Sequence, residues 1–206
     1  MQQDILGLDF FTIKYGLQNV SNFESIAKEK YQLPDLSHWL NESTFVNCFM
    51  GWHKKGLFFC FDVEQMLEES FFPDFRRGDS IEIFIDTRDR KDKGFITRFC
   101  HHFIFLPQSV QQLQAKEITR FRGEDSHLLC PEKDLQVKVQ INKKSYRLYG
   151  FIAASGLHGY DPSRFDKLGF TYRINRYKKP SQHFSVSSLE YVIENNPALW
   201  ASLALE

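Results

Sequence analysis

The sequence contains few cysteines, and those it has are far apart. The four residues are Cys48, Cys60, Cys100 and Cys130, and no two of them form a C-x-x-C pair. This spacing excludes the common zinc-finger patterns and gives no sign of a disulfide framework. We therefore expect reduced thiols in the core, where free cysteine behaves as a small apolar residue.

Net charge and long apolar runs are also absent. The 26 acidic and 26 basic residues cancel, so electrostatics give no support to nucleic acid or a membrane surface as a partner. Residues 1–5 lack the basic and apolar regions of a signal peptide. The densest apolar run, residues 56–61, is too short to span a bilayer. These absences predict a cytoplasmic protein with no membrane contact.

Signatures of catalysis are missing as well. No G-x-G-x-x-G, P-loop or G-x-S-x-G motif occurs. Glu82 and Asp86 could serve glycoside hydrolysis only if they met, but four positions along a strand separate their backbones by roughly 13 Å. His101 and His102 are adjacent on a predicted strand and so point to opposite faces, and the other histidines show no ligand spacing. The sequence therefore predicts a protein that is not an enzyme and holds no metal and no cofactor.

The sequence is rich in phenylalanine, with 21 residues, and in alternation with a period of two. Aromatic residues favour strands, and alternation places every second side chain on one face. Strands are predicted over residues 57–63, 81–86, 95–103, 135–141, 146–152 and 170–174. The first is apolar on both faces, which indicates a central strand. This pattern predicts an all-β fold with minor α, built as a two-sheet antiparallel β-sandwich.

The chain is predicted to form a single domain over residues 1–206. Residues 1–34 would be a lead-in strand and helix, and residues 35–206 the sandwich core. A capping box over residues 21–24 would open a short helix that runs to Lys30.

Two segments have ambiguous patterns. Residues 110–117 fit a short helix or an irregular connection. Near the C-terminus, Asn196-Pro197 could begin a helix. Alternation favours a closing strand instead, through Leu199, Ala201, Leu203 and Leu205.

Three segments carry a recognisable pattern: residues 52–59 read W-H-K-K-G-L-F-F, residues 78–88 read G-D-S-I-E-I-F-I-D-T-R, and residues 168–175 read L-G-F-T-Y-R-I-N. They resemble the W-x-x-x-G-L-y-f, G-D-x-v-E-l-f-i-D-t-R and G-f-x-y-r-i-n strands of family 9 carbohydrate-binding modules. The ending near Trp200 fits that family's final strand, so the resemblance runs from about residue 33 to the C-terminus. It implies a sandwich of roughly nine to ten strands and a non-catalytic binding role. Related sandwiches of the DOMON type bind haem, so the fold alone does not fix the ligand.

A candidate binding face follows from pairing two predicted strands. If Ile81, Ile83 and Ile85 share the core with Phe95, Phe99 and Phe103, register places a polar set on the opposite face. That set is Glu82, Phe84, Asp86, Arg98, Cys100 and His102. Carboxylates and a guanidinium give directional hydrogen bonds to a polyhydroxylated ligand, and the ring offers a stacking surface. Cross-strand ion pairing is the structural alternative.

Other residues offer alternative sites. Trp52 is the tryptophan most suited to reach a sheet end and stack on a sugar ring, although core packing also explains it. Asp86, Asp89 and Asp92 could bind calcium, but the basic residues between them favour a solvated hairpin tip.

The sequence favours a non-catalytic binding module for carbohydrate or a related polar ligand. The tentative ligand-binding residues are Trp52, Glu82, Phe84, Asp86, Arg98 and His102. The alternative is a structural domain that binds a protein partner through an apolar patch.

Overall fold

The computed structural model describes residues 13–206. The first twelve residues of the predicted lead-in, including the start without a signal-peptide pattern, lie outside the described residues. The described part contains one α-helix, α1 at Phe23–Ile26, and eleven strands. The strands are β1 Lys14–Leu17, β2 Val46–His53, β3 Gly56–Val63, β4 Ser80–Asp86, β5 Cys100–Val110, β6 Leu113–Glu117, β7 Leu135–Ile141, β8 Tyr146–Ala153, β9 Lys167–Arg176, β10 Lys179–His183 and β11 Ala201–Leu205.

The strands form two sheets that pack face to face. The four-stranded sheet has the order β2-β3-β8-β7 and is antiparallel throughout. The seven-stranded sheet has the order β1-β11-β9-β4-β5-β6, and β10 also pairs with β9. Only its β1–β11 pair is parallel among the described pairs. The predicted two-sheet, mainly antiparallel sandwich is confirmed, with eleven strands in the described residues where nine to ten were expected.

Aromatic side chains fill the space between the sheets. The rings of Phe59 and Phe170 stack with centroids 6.3 Å apart, and Phe61 meets Tyr172 edge to face at 5.7 Å. The outer face of β3 is also buried, because α1 and the neighbouring residues pack on it with Ile26 in contact. Both faces of β3 are therefore covered, and the prediction that this strand is central is confirmed.

The helix is shorter than predicted and begins one residue later. Asn22, not Ser21, is the N-cap, and its side chain accepts a hydrogen bond of 3.0 Å from the Ser25 amide. The helix ends at Ile26, and Lys28 already has extended backbone before a 3₁₀ turn over Glu29–Tyr31. The predicted Ser21 capping box and the extension to Lys30 are therefore wrong.

The two ambiguous segments are both strands for part of their length. Residues 110–117 form neither a helix nor an irregular connection, because β5 runs to Val110 and turns directly into β6. The C-terminal alternation does mark a closing strand, β11. It begins at Ala201, since a 3₁₀ turn occupies Pro197–Leu199.

The β5–β6 turn uses two residues in the left-handed region. Val110 pairs with Leu113, and the intervening Gln111 and Gln112 have φ of 52° and 69°. Such two-residue turns favour Asn-Gly, because other side chains are strained at positive φ. We expect the double change Gln111→Asn and Gln112→Gly to stabilise the fold by about 0.5–1 kcal/mol in urea denaturation.

A matched glycine substitution controls for that effect. Gln140 is exposed on β7 in extended conformation, so Gln140→Gly should destabilise by about 0.5–1 kcal/mol. If the turn variant and Gln140→Gly lost the same unfolding free energy, this would contradict the presence of backbone strain in the β5–β6 turn.

The structure also bears on the predictions about the cysteines and about membrane-spanning segments. All four cysteines are buried and free, as expected for core thiols. Among residues 13–206, no helix is long and apolar enough to cross a bilayer.

Candidate functional site

The candidate site lies on the outer face of the seven-stranded sheet. Alternation in β4 turns Ile81, Ile83 and Ile85 into the core and leaves Glu82 and Phe84 on the opposite face. This outer face is covered in part by the chain between β10 and β11. A small apolar cluster fixes that cover, and its members are Phe84, Cys100, Val186, Ile193 and Trp200.

Glu82 is the centre of a buried charge network. Its carboxylate accepts two hydrogen bonds from the cross-strand neighbour Arg173, at 2.6 and 2.7 Å. Arg76 donates from the Phe75–Arg77 turn at 3.0–3.3 Å, His102 Nε2 lies at 2.9 Å, and Asn175 donates at 2.8 Å. Because the Glu82 side chain is fully buried, these donors replace the water it has lost.

Glu194 extends the network towards solvent. Its carboxylate accepts from Arg173 at 2.7 Å and also from Arg76. The side chain of Glu194 is 20% exposed and that of Arg76 is 47% exposed, so the network is buried at Glu82 and open at Arg76. A ligand in the cleft can therefore contact the outer groups of the network, which the inner ones hold in place.

The network sets the charge of its members. Burial alone would raise the pKa of Glu82, but hydrogen bonds from His102 and Arg173 outweigh it and hold that pKa well below its usual range. Burial lowers the pKa of His102, and the nearby Arg173 and Arg76 act in the same direction. At neutral pH we therefore assign a charged Glu82 and a neutral His102 that donates from Nε2.

A cleft of about 500 Å³ opens above this network. Its volume falls within the range of small-molecule sites. Apolar and polar side chains share its walls, and the lining residues are Pro73, Asp74, Phe75, Arg76, Arg77, Ile96, His101, His102, Ile118, Thr119, Arg120, Val192, Glu194 and Asn195.

Four of the six tentative ligand-binding residues have the predicted register on this outer face, namely Glu82, Phe84, Asp86 and His102. Phe84 stacks on the imidazole of His102 with centroids 4.2 Å apart, and His102 contacts Glu82. The alternative interpretation, cross-strand ion pairing, also holds in part, since Glu82 pairs with Arg173 on the neighbouring strand. Of these four, His102 lines the cleft.

Phe84 does not offer a stacking surface. Its side chain is fully buried beneath Trp200, with ring centroids 5.8 Å apart. The predicted stacking role is therefore wrong for this residue, because the chain segment after β10 covers the ring.

Arg98 and Asp86 are held by neighbouring groups. The predicted strand over residues 95–103 begins only at Cys100, because a turn joins the Cys100 amide to the Thr97 carbonyl at 3.0 Å. Arg98 therefore lies outside the sheet face and pairs with Asp125. Asp86 has the predicted register, but its buried carboxylate accepts from the amides of Arg88 and Arg90 in the following turn.

Trp52 lies on the other sheet and away from this face. It packs against the core between the sheets, and its Nε1 donates to the Glu206 carbonyl at 2.9 Å. The structure therefore does not bring Trp52 together with Glu82 and His102.

Two of the three carboxylates considered for calcium form ion pairs with basic side chains of the same loop. Asp89 pairs with Lys91 at 2.7 Å, and Asp92 pairs with Arg90 at 2.8 Å. Asp86 caps the turn through backbone amides. The predicted solvated hairpin tip fits Asp92 alone, because Asp86 is fully buried and the side chain of Asp89 is only 9% exposed.

Sequence reasoning missed the basic half of the network. Arg173 alternates with Tyr172 and Ile174, so the pattern of β9 could have placed it on the outer face beside Glu82. Arg76 belongs to a 3₁₀ turn and Glu194 to another, over Ile193–Asn195. No periodic signal marks residues of this kind.

Sequence reasoning also missed a group of possible metal ligands. His101 and His102 do point to opposite faces, as predicted. However, His101 approaches Glu117 and His127, whose ligand atoms all lie within 4.8 Å of one another. The three residues come from β5, β6 and a loop, so their spacing in the sequence carries no signal.

No protein-family model and no curated protein matches the sequence. Two solved structures of a carbohydrate-binding module of family 9 from Caldicellulosiruptor kristjanssonii do match the structure. The complex with cellotriose has a TM-score of 0.62 and 15% identity, and the match covers 94% of this chain and 93% of that chain. The complex with glucose has a TM-score of 0.62 and 14% identity, covering 94% and 95%. The chain therefore has the fold of a carbohydrate-binding module of family 9, as the resemblance in the sequence predicted.

Proposed function

We propose that this chain is a non-catalytic binding module that holds a carbohydrate in the cleft above the Glu82 network. The observation that carries the proposal is the position of Arg76, which is anchored on Glu82 and Glu194 and half exposed in the cleft wall. The fold shared with modules solved with cellotriose and glucose supports the same ligand class.

The chemistry of the cleft suits a sugar. A guanidinium and a carboxylate form charge-assisted hydrogen bonds in fixed directions, which adjacent hydroxyl groups can satisfy. Apolar residues such as Phe75 and Ile118 provide walls for the C–H faces of a ring. Preorganisation by Glu82 and Arg173 lowers the entropy cost of binding, because the polar groups are ordered before the ligand arrives.

The volume limits the ligand to a short saccharide or to the end of a longer one. A cleft of about 500 Å³ does not enclose a long chain. We therefore expect mono- to trisaccharides to capture most of the affinity, with longer oligomers adding little.

Calorimetric titration with a panel of saccharides, including glucose and cellotriose, tests the proposal. Arg76→Ala should weaken binding roughly ten- to a hundredfold, which corresponds to about 1.4–2.8 kcal/mol, because it removes a charged donor from the wall. The fold should persist, since Glu82 keeps its bonds from Arg173.

Arg164→Ala is the matched control. Arg164 is exposed and lies outside the cleft lining, so this variant should bind as the wild type does. Equal affinity of the Arg76 variant and the wild type, or no binding across the panel, would overturn the proposal. In the second case, light scattering would show whether the chain associates with itself, which is one form of the protein-interaction alternative.

A further inference from the structure

A second cluster of titratable groups lies where β5 begins and β6 ends, and its His101 also lines the cleft beside the Glu82 network. His101 is on β5, Glu117 is the last residue of β6, and His127 is in the connection of residues 118–134 between β6 and β7. Glu117 Oε1 lies 2.9 Å from His101 Nδ1 and 2.9 Å from His127 Nε2. The side chains of His101 and Glu117 are fully buried and that of His127 is 2% exposed.

The outer nitrogens of both histidines face backbone carbonyls. His127 Nδ1 lies 2.6 Å from the Arg98 carbonyl oxygen, and His101 Nε2 lies 3.4 Å from the His158 carbonyl oxygen. A carbonyl oxygen only accepts, so the short contact assigns the hydrogen of His127 to Nδ1, and the longer contact favours Nε2 as the protonated nitrogen of His101. In a neutral imidazole the other nitrogen is then a bare lone pair. Both bare nitrogens point at Glu117 Oε1.

A carboxylate oxygen also offers only lone pairs, so on these tautomers three acceptor atoms converge within 4.8 Å of one another. Protonating both rings would place two imidazolium ions with centroids 4.2 Å apart against one buried carboxylate. Like charges this close and desolvated repel strongly. A cation at the point where the three lone pairs converge satisfies all of them with neutral rings.

The surroundings resemble the outer shell of a metal site. Metal-binding histidines typically donate their second N–H to a backbone carbonyl or carboxylate, which fixes the tautomer. Glu117 is itself oriented, since Thr119 Oγ1 donates to Oε1 at 2.6 Å and the Cys130 amide donates to Oε2 at 2.6 Å.

The ligand set selects the ion. Two imidazole nitrogens and one carboxylate oxygen are the ligands of Zn²⁺ and related transition metals, whereas Ca²⁺ and Mg²⁺ prefer oxygen alone. Three protein ligands leave a fourth position for water.

We propose that His101, Glu117 and His127 form a Zn²⁺ site that fastens the 118–134 connection to the seven-stranded sheet. The connection has exposed residues around Glu124 and Asp125 and no strand of its own. The ion would join its His127 to two strands that are already paired. The predicted effect of the ion is on the stability of this connection, and His101 places the site beside the cleft wall.

The test is titration of chelator-treated, metal-free protein with Zn²⁺, followed by calorimetry and thermal unfolding. We expect one equivalent of Zn²⁺ per chain and a melting temperature that rises with Zn²⁺ concentration. Co²⁺, whose visible absorption reports its coordination, should bind at the same site and be displaced by Zn²⁺.

His127→Ala should weaken Zn²⁺ binding by more than about a hundredfold, since loss of outer-shell partners alone costs 10–100-fold. His38→Ala is the matched control, because His38 is exposed and should leave binding unchanged. Glu117→Gln serves as a second ligand variant should His127→Ala fail to fold, with the same expected loss. A wild-type chain that takes up no Zn²⁺, or a folded ligand variant that binds like the wild type, would overturn the proposal.

Discussion

Glu82→Gln is expected to destabilise the fold by about 3–5 kcal/mol, the usual cost of breaking a buried ion pair. The change removes the charge that Arg173 and Arg76 share, although Arg173 keeps Glu194 as a partner. The new side-chain amide would also carry N–H donors of its own. These would face the N–H group that Asn175 donates to the carboxylate in the wild type. Urea denaturation measures the difference in unfolding free energy.

The difference in unfolding free energy between the wild type and Glu82→Gln should become smaller as pH falls. The pKa of Glu82 is lowered in the folded chain, so its contribution is fully present above the unfolded value of about 4.3 and is lost as pH falls towards the folded pKa. The gap between wild type and Glu82→Gln should therefore be largest above about pH 5 and shrink below about pH 4. Carboxylates with raised pKa, such as Asp79 and Asp86, are present in both proteins and cancel.

Glu68→Gln is the control for the charge change. Glu68 pairs with Lys179 at 3.0 Å, and both side chains are partly exposed. Exposed pairs contribute about 0–1 kcal/mol. A loss at Glu82 no larger than the loss at Glu68 would show that the buried network does not stabilise the outer face.

Trp200→Ala should cost about 3–5 kcal/mol and also abolish ligand binding. The indole is buried against Phe84 and Ile193, and its Nε1 donates to the Ile193 carbonyl at 2.9 Å. Truncating a buried aromatic residue leaves a cavity as well as losing apolar burial. The segment that it anchors carries Glu194 and Asn195 into the cleft wall, so the wall should loosen with it.

Trp39→Ala is the matched control, because Trp39 is 67% exposed. Its removal should change stability by less than about 0.5 kcal/mol and leave saccharide affinity intact. Thermal unfolding and calorimetric titration on the two variants separate the effects. Wild-type affinity in a folded Trp200→Ala protein would contradict the account of the cleft wall.

The architecture could be predicted because alternation is a local signal. Ile81, Ile83 and Ile85 specify a strand with one core face, and the doubly apolar β3 specifies a central strand. The hairpin turn at Gln111-Gln112 was missed, since these residues are not the usual ones for a two-residue turn. The start of β5 was misplaced because the Thr97–Cys100 turn interrupts a run of phenylalanines that continues the same period.

The candidate site was only half predictable, for a physical reason. Glu82 and His102 meet across adjacent strands, so period and register bring them together. Arg76 and Glu194 arrive from 3₁₀ turns far apart in sequence, and only tertiary packing brings them together. The Phe84 prediction failed on the same ground, because burial beneath Trp200 depends on a segment more than a hundred residues away.

A crystal structure of the complex with the tightest-binding saccharide of the panel would show where the sugar binds. We predict density for a sugar in the cleft of the seven-stranded sheet, with hydroxyl groups bonded to Arg76 and Glu194 and the Glu82 network unchanged beneath them. Density elsewhere, such as against the exposed Trp39 on the surface, with an empty cleft, would contradict the account.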